Sequence, residues 1–213
     1  MIDDSINHEY IIRYLRDLES EPDPYLAKLR AYAKEHAVPI AEPETAAFLR
    51  FLCTLKQPKQ ILEIGTAIGY SAITMAMACD ADIVTMEREP ELCIQARRNI
   101  EMAGYESRVT LLEGDASELL AGISQTFDLV FIDAAKGQYR DFFDKISMPV
   151  GGVVICDNVL YKGMTASDEL LMRRKVTIVK RLRSFLDYLY RHPSYETAVL
   201  PIGDGVAVSC KKK

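Results

Sequence analysis

From Gln60 onward the chain alternates short apolar runs with amphipathic segments, and that alternation constrains the fold more than any other feature. The runs are "ILEIG", "DIVTME", "RVTLLEGD", "FDLVFID" and "GGVVICDN". Between them lie "SAITMAMAC", "PELCIQARRNIEMAG", a short piece after "EGDA", and Tyr139 to Ile146. Runs of strand length separated by segments of helix length predict parallel strands joined by crossover helices, with both sheet faces covered. A long helix is expected around Leu170 to Tyr190, followed by "YETAVLP" and "DGVAVSC" joined by the turn signal "IGDG", which predicts a hairpin. The expected fold is α/β: a doubly wound, mostly parallel, seven-stranded Rossmann-like sheet with one antiparallel C-terminal strand.

The residues before this pattern read as helical. "SINHEYIIRYLRDLES" carries Ile6, Tyr10, Ile11 and Leu15 near helical spacing, "DPYLAKLRAYAKEHA" repeats the pattern, and a third helix is expected from Pro43 to Leu55. Pro22, Pro24 and Pro39 punctuate them. The reading is one domain over 1–213, with a helical preface at 1–55 and the Rossmann-like core at 56–213. A net charge of -5 excludes a general basic field for nucleic acid, though not a local patch. Five scattered cysteines without a CxxC pair argue against both a disulfide framework and a zinc site. "MIDDSINHEY" is polar from its third residue, so no leader or membrane span is expected and the compartment is taken as cytoplasmic.

The turn after the first run, "ILEIGTAIGYS", holds Glu63, Gly65 and Gly69. Its Gly-x-x-x-Gly spacing lets backbone approach a ligand but lacks the middle glycine that makes room for a pyrophosphate, which disfavours a nicotinamide-dependent oxidoreductase. Glu87 ends the next run, where a carboxylate can take ribose hydroxyls, and Asp115 and Ala116 close the third. Each feature alone reads as tight packing or a solvated turn. On successive strands they converge on one crevice suited to an adenosine-containing cofactor.

The fourth run ends in Asp133 with Lys136 three residues on, and the fifth ends in Asp157 and Asn158. Alone, Asp133 reads as a cap or crevice-rim carboxylate and Asp157-Asn158 as a turn. Together they offer hard oxygen donors suited to Mg²⁺, Ca²⁺ or Mn²⁺.

The glutamate-x-glycine loop, Glu87 and "GDA" resemble the cofactor site of class I methyltransferases that use S-adenosylmethionine. "FIDAAKGQY" and "CDNVLYKG" resemble the metal motifs of the catechol and caffeoyl-CoA O-methyltransferase family, over a span from about Val38 to the C-terminus. The resemblance implies a cofactor site of Ala41, Glu63, Gly65, Thr66, Gly69, Ser71, Glu87, Asp115, Ala116 and Asp133. It implies metal ligation by Asp133, Asp157 and Asn158, catalytic roles for Lys136 and Asp133, and a homodimer. With "LEIGTAIGYSAI", "DNVLYKG" and "PIGDGVA", the chain also resembles bacterial tRNA 5-hydroxyuridine methyltransferases, which implies methylation of a wobble uridine to 5-methoxyuridine with the tRNA anticodon loop as partner.

Between Lys162 and Arg191 eight basic residues (Lys162, Arg173, Arg174, Lys175, Lys180, Arg181, Arg183, Arg191) face three acidic ones (Asp168, Glu169, Asp187), a cluster that reads either as a phosphate grip or as a solvated helix face. Tyr139 and Tyr161 read equally as base-stacking or packing residues. A small catechol-like acceptor, and a non-catalytic RNA-binding protein on the same scaffold, are the competing readings. The catechol enzyme's late acidic contact to the acceptor's second hydroxyl has no assigned counterpart here.

Overall fold

The computed structural model describes residues 6–19 and 23–213. Strands β1 (Gln60–Ile64), β2 (Asp82–Glu87), β3 (Val109–Glu113), β4 (Leu129–Ile132), β5 (Val153–Cys156), β6 (Tyr195–Leu200) and β7 (Val206–Lys211) form one sheet in the order β3-β2-β1-β4-β5-β7-β6. Pairings among β1 to β5 are parallel, whereas β7 runs antiparallel to both β5 and β6. The expected single antiparallel strand is therefore β7, inserted between β5 and β6 by the hairpin.

Helices α1 (Glu9–Leu18), α2 (Pro24–Glu35) and α3 (Pro43–Lys56) precede the sheet; α4 (Tyr70–Ala78), α5 (Pro90–Met102), α6 (Ala116–Ala121), α7 (Tyr139–Lys145) and α8 (Val176–Arg191) follow in chain order. Strand side chains alternate between two cores. Ile61, Ile83, Leu129, Phe131 and Ile155 pack with α2, α3 and α4, while Leu62, Ile64, Val130, Ile132 and Val154 pack with α7 and α8. Asp23 caps α2 by accepting from the backbone N–H groups of Tyr25 and Leu26, ahead of a proline at the first helical position.

One expectation needs correction. The long helix begins at Val176, not near Leu170, and 168–175 forms two short 3₁₀ turns. The helix expected around Tyr10, Ile11 and Leu15 is present as α1, which buries no residue and leaves Tyr10 and Tyr14 70% and 63% exposed. Ser5, Ser20 and Pro22 of the helical preface lie outside the described residues. Among the described residues no helix is long and apolar enough to cross a membrane.

Candidate active site

The parallel strands β1 to β5 end at the same sheet edge, and the strand order reverses beside β1, where open α/β sheets form their ligand crevice. A cavity of 510 Å³ lies there. Its walls include Pro39 to Glu42, Gly65, Thr66, Ser71, Glu87, Asp115, Ala116, Asp133, Lys136 and Asn158. Of the residues assigned to a cofactor, Ala41, Gly65, Thr66, Ser71, Glu87, Asp115, Ala116 and Asp133 thus share one cavity.

Glu63 and Gly69 do not line it, and each has a different task. Glu63 sits opposite Thr85 in the β1/β2 register and is fully buried. The Thr85 hydroxyl donates to Glu63 Oε2 and is itself bonded to the Thr66 hydroxyl, while Glu63 Oε1 has no hydrogen-bond partner. Burial raises the Glu63 carboxyl to about 7 against the lowering effect of hydrogen bonds from Ser71 and Thr85. Glu63 therefore props the glycine turn from beneath. Gly69 precedes α4 at φ +87°, a left-handed conformation that favours glycine, and a Cβ there would make only ordinary contact with α5 at Ala96.

Gly65 does line the cavity, but the approach that demands a glycine is intramolecular. A Cβ on it would stand 2.1 Å from the Asp133 carbonyl oxygen, and its φ is +103°. Glu87 is held in place by backbone donors: its Oε2 accepts from the Ala67 N–H at 2.9 Å, and its Oε1 from the N–H groups of Arg88 and Glu89. Asp115 caps α6 through the Ser117 N–H at 2.8 Å.

The β1–β4–β5 ladder runs straight into the proposed metal ligands, with Asp133 N–H donating to Ile64 O at 2.9 Å and Asp157 N–H to Ile132 O at 3.0 Å. Asn158 takes a left-handed φ of 54°, a conformation asparagine tolerates, and its N–H donates to Asp157 Oδ1 at 2.7 Å. Asp157 Oδ2 is buried without a hydrogen-bond partner. Burial raises the Asp157 carboxyl, and the Asp133 charge raises it further; Asp133 is raised by burial and partly relieved by Lys136. Lys136 Nζ donates to Asn158 Oδ1 at 2.9 Å and lies 4.0 Å from Asp133 Oδ1.

Among the described residues no three His, Cys, Asp or Glu side chains form a group that could hold a metal ion. An orphaned buried carboxylate oxygen beside a second carboxylate fits a divalent cation, and the Asn158 oxygen keeps a lone pair beyond the one Lys136 uses.

A second cavity, also 510 Å³, adjoins this edge and shares Lys136, Asn158 and Glu42 with the first. Ile12 and Leu15 of α1, together with Tyr161, Ile202 and Asp204, complete much of its wall. Arg16 fastens α1 above it through Glu44 at 2.6 Å and Glu42 at 3.0 Å.

Asp204 was missed from the sequence, where "IGDG" signalled only a turn. Its Oδ1 accepts from the Lys162 N–H at 2.5 Å, its backbone carbonyl accepts from the Leu160 N–H at 3.0 Å, and burial raises its carboxyl. The signal was present, since a turn carboxylate one sheet position from Asp157 must reach the same edge.

The tyrosines divide. Tyr139 is buried and donates to the Asp157 carbonyl at 2.9 Å, so it is a packing residue and stacks on no ligand. Tyr161 lines the second cavity, with Lys175 Nζ 5.5 Å from its ring centroid.

Part of the basic cluster is structural. Arg183 donates to the carbonyls of Thr165 and Met164 and pairs with Asp168, Arg181 donates to Gly137 O, and Arg191 pairs with Asp187.

Comparison with known proteins matches residues 16–213 to the O-methyltransferase family. A catechol O-methyltransferase of Niastella koreensis is 35% identical over 166 residues, covering 73% of this chain and 75% of that protein. A caffeoyl-CoA O-methyltransferase of Stellaria longipes is 26% identical over 94% of this chain and 90% of its own length. Among solved structures, an SAH-bound methyltransferase of Podospora anserina superposes with a TM-score of 0.88 at 26% identity, covering 96% of this chain and 95% of that one. An O-methyltransferase of Bacillus cereus in complex with SAH gives 0.82 at 27% identity, covering 95% and 97%.

Proposed function

The chain belongs to the O-methyltransferase family and uses S-adenosylmethionine, and from that premise we propose that it methylates one of two adjacent oxygens on an aromatic ring held at a divalent cation such as Mg²⁺. The observation that carries this reading is the partnerless buried Oδ2 of Asp157, which lines neither cavity itself but precedes Asn158, the residue that with Lys136 lines both.

Asp133, Asp157 and Asn158 would hold the cation, which when bound makes a coordinated hydroxyl more acidic. Lys136 Nζ, between Asp133 and Asn158, is placed to take the hydroxyl proton. The oxygen then attacks the sulfonium methyl: an O–C bond forms, the C–S bond breaks, and S-adenosylhomocysteine leaves. Asp204, on the far wall of the second cavity, orients the acceptor's other oxygen.

A small catechol-like molecule is the acceptor this reading favours, supported by the names of the relatives and by the apolar side chains of the second cavity. One observation keeps 5-hydroxyuridine of tRNA as a second reading. Lys162 and Tyr161 line that cavity, and Lys175 of the basic segment lies over Tyr161, at a rim where anticodon-loop phosphates would pass. The base carries its 5-hydroxyl next to a 4-oxygen and meets the same requirement.

The test is transfer of labelled methyl from the cofactor to a catechol and, separately, to hydroxyuridine-containing tRNA, each with and without EDTA. EDTA-sensitive labelling of the catechol alone supports the first reading, and labelling of the tRNA moves the assignment to the second. No transfer to either would favour a non-catalytic scaffold.

A further inference from the structure

One wall of the cofactor cavity is neither helix nor strand: Pro39, Ile40, Ala41 and Glu42 cross between α2 and α3. The opposing wall is the glycine turn and the start of α4, with Tyr70 and Ser71. Such a strap has no sheet ladder to hold its distance from the turn, so that distance depends on side-chain tethers.

Arg30 of α2 spans the two walls. Its Nη1 donates to the Ala41 carbonyl at 3.3 Å, its Nη2 donates to the Tyr70 hydroxyl, and its guanidinium carbon lies 4.6 Å from the Tyr70 ring centroid. Tyr70 is itself immobilised, 1% exposed, with its carbonyl accepting from the Thr74 hydroxyl at 2.7 Å. We propose that Arg30 is a positioning residue for S-adenosylmethionine: by joining the Ala41 carbonyl to the Tyr70 ring it sets the width of the cofactor cavity, without touching the reacting atoms.

A guanidinium suits this task because it donates along two directions while stacking on an aromatic face; an ammonium supplies the charge but not the fork. The inference rests on the cofactor assignment and not on the acceptor, so it is read by calorimetric titration with S-adenosylhomocysteine, which needs no acceptor.

Arg30→Met is expected to weaken that binding about tenfold or more, the scale of losing a hydrogen bond from a charged group. Where an acceptor is turned over, KM for the cofactor rises and kcat at saturation stays. Arg30→Lys recovers part of the affinity. Tyr25→Phe, which removes the 3.2 Å bond from the same helix to Asn99, leaves the affinity at the wild-type value. Unchanged binding in Arg30→Met overturns the proposal, as does equal weakening in Tyr25→Phe, which would mean that any loosening of α2 suffices. Should Arg30→Met fail to fold, wild-type affinity in Arg30→Lys overturns it equally. Loss of binding in the wild type itself would indict the cofactor assignment instead.

Discussion

Replacing Glu63 by glutamine should change how stability depends on pH more than stability itself. Glu63 is fully buried, and burial raises its carboxyl from an ordinary value of 4.5 to about 7. A folded-state pKa above the unfolded one means that the native protein binds the proton more tightly. The resulting stability is fully present below about pH 4.5 and is lost as pH rises through about 7. At about 1.4 kcal/mol per tenfold in proton affinity, the interval from 4.5 to 7 amounts to about 3 kcal/mol between pH 4 and pH 8. For a chain of this size that is about 6–12 °C in Tm. Glutamine cannot titrate, so this contribution vanishes in Glu63→Gln. Its amide nitrogen, seated where Oε1 has no partner, costs about 1–3 kcal/mol at every pH and shifts the curve without tilting it. Asp157 and Asp204 also have raised carboxyls but are common to both proteins, while Asp133, whose charge helps raise Glu63, belongs to the same contribution. Urea denaturation of both proteins from pH 4 to pH 8 is the assay. The wild type should lose stability relative to the variant as pH rises; parallel curves would refute the buried, protonated glutamate.

Gly65→Ala should abolish S-adenosylhomocysteine binding and destabilise the fold by more than about 2 kcal/mol, because a Cβ would meet the Asp133 carbonyl at 2.1 Å. Gly104→Ala shares the positive φ but has no atom within 4 Å, so denaturation should show only a backbone cost of about 1 kcal/mol. Equal losses in the two variants would show that the close approach to Asp133 is immaterial. Lys136→Met should lower kcat by about 10²–10⁴ while leaving S-adenosylhomocysteine affinity intact in calorimetry, as expected for a proton-transfer group. Retained turnover would remove Lys136 from the chemistry.

The layer architecture was legible because every strand from β1 to β5 is an apolar run bounded by turn residues, and parallel strands put all their carboxyl ends on one edge. That rule brought Gly65, Glu87, Asp115, Asp133 and Asn158 to a common cavity. Periodicity says which face a strand residue takes, but not whether the last residues of a strand point into the crevice or under it. Glu63 went under because Thr85 sits across from it in the register and its chain of hydroxyls closes on Thr66. Gly69 holds the left-handed turn into α4, a backbone requirement rather than a ligand contact. The spacing of α1 announced a helix but not what it faces, a cavity and solvent. Arg30 carried no signal at all: its partners lie 11 and 40 residues away, and only folding brings them together.

The proposed function requires a cofactor methyl and a cation-held oxygen to face each other although their loops belong to different strands. The join between β1 and β4 provides for this. Asp133 N–H extends the ladder onto Ile64 O, and the Asp133 carbonyl packs against Gly65 so closely that a Cβ cannot intervene. The first residue of the glycine turn and the first proposed metal ligand are therefore fixed to each other by backbone. Side-chain freedom enters only afterwards, through Lys136 and Asp204. In-line methyl transfer depends on holding two reacting centres within a fraction of an ångström, and a shared backbone register is the stiffest means a sheet has of doing so. On this argument the cofactor and metal loops cannot be loosened independently: a lesion at Gly65 should damage cation binding as well as cofactor binding, while one at Asp204 should spare both.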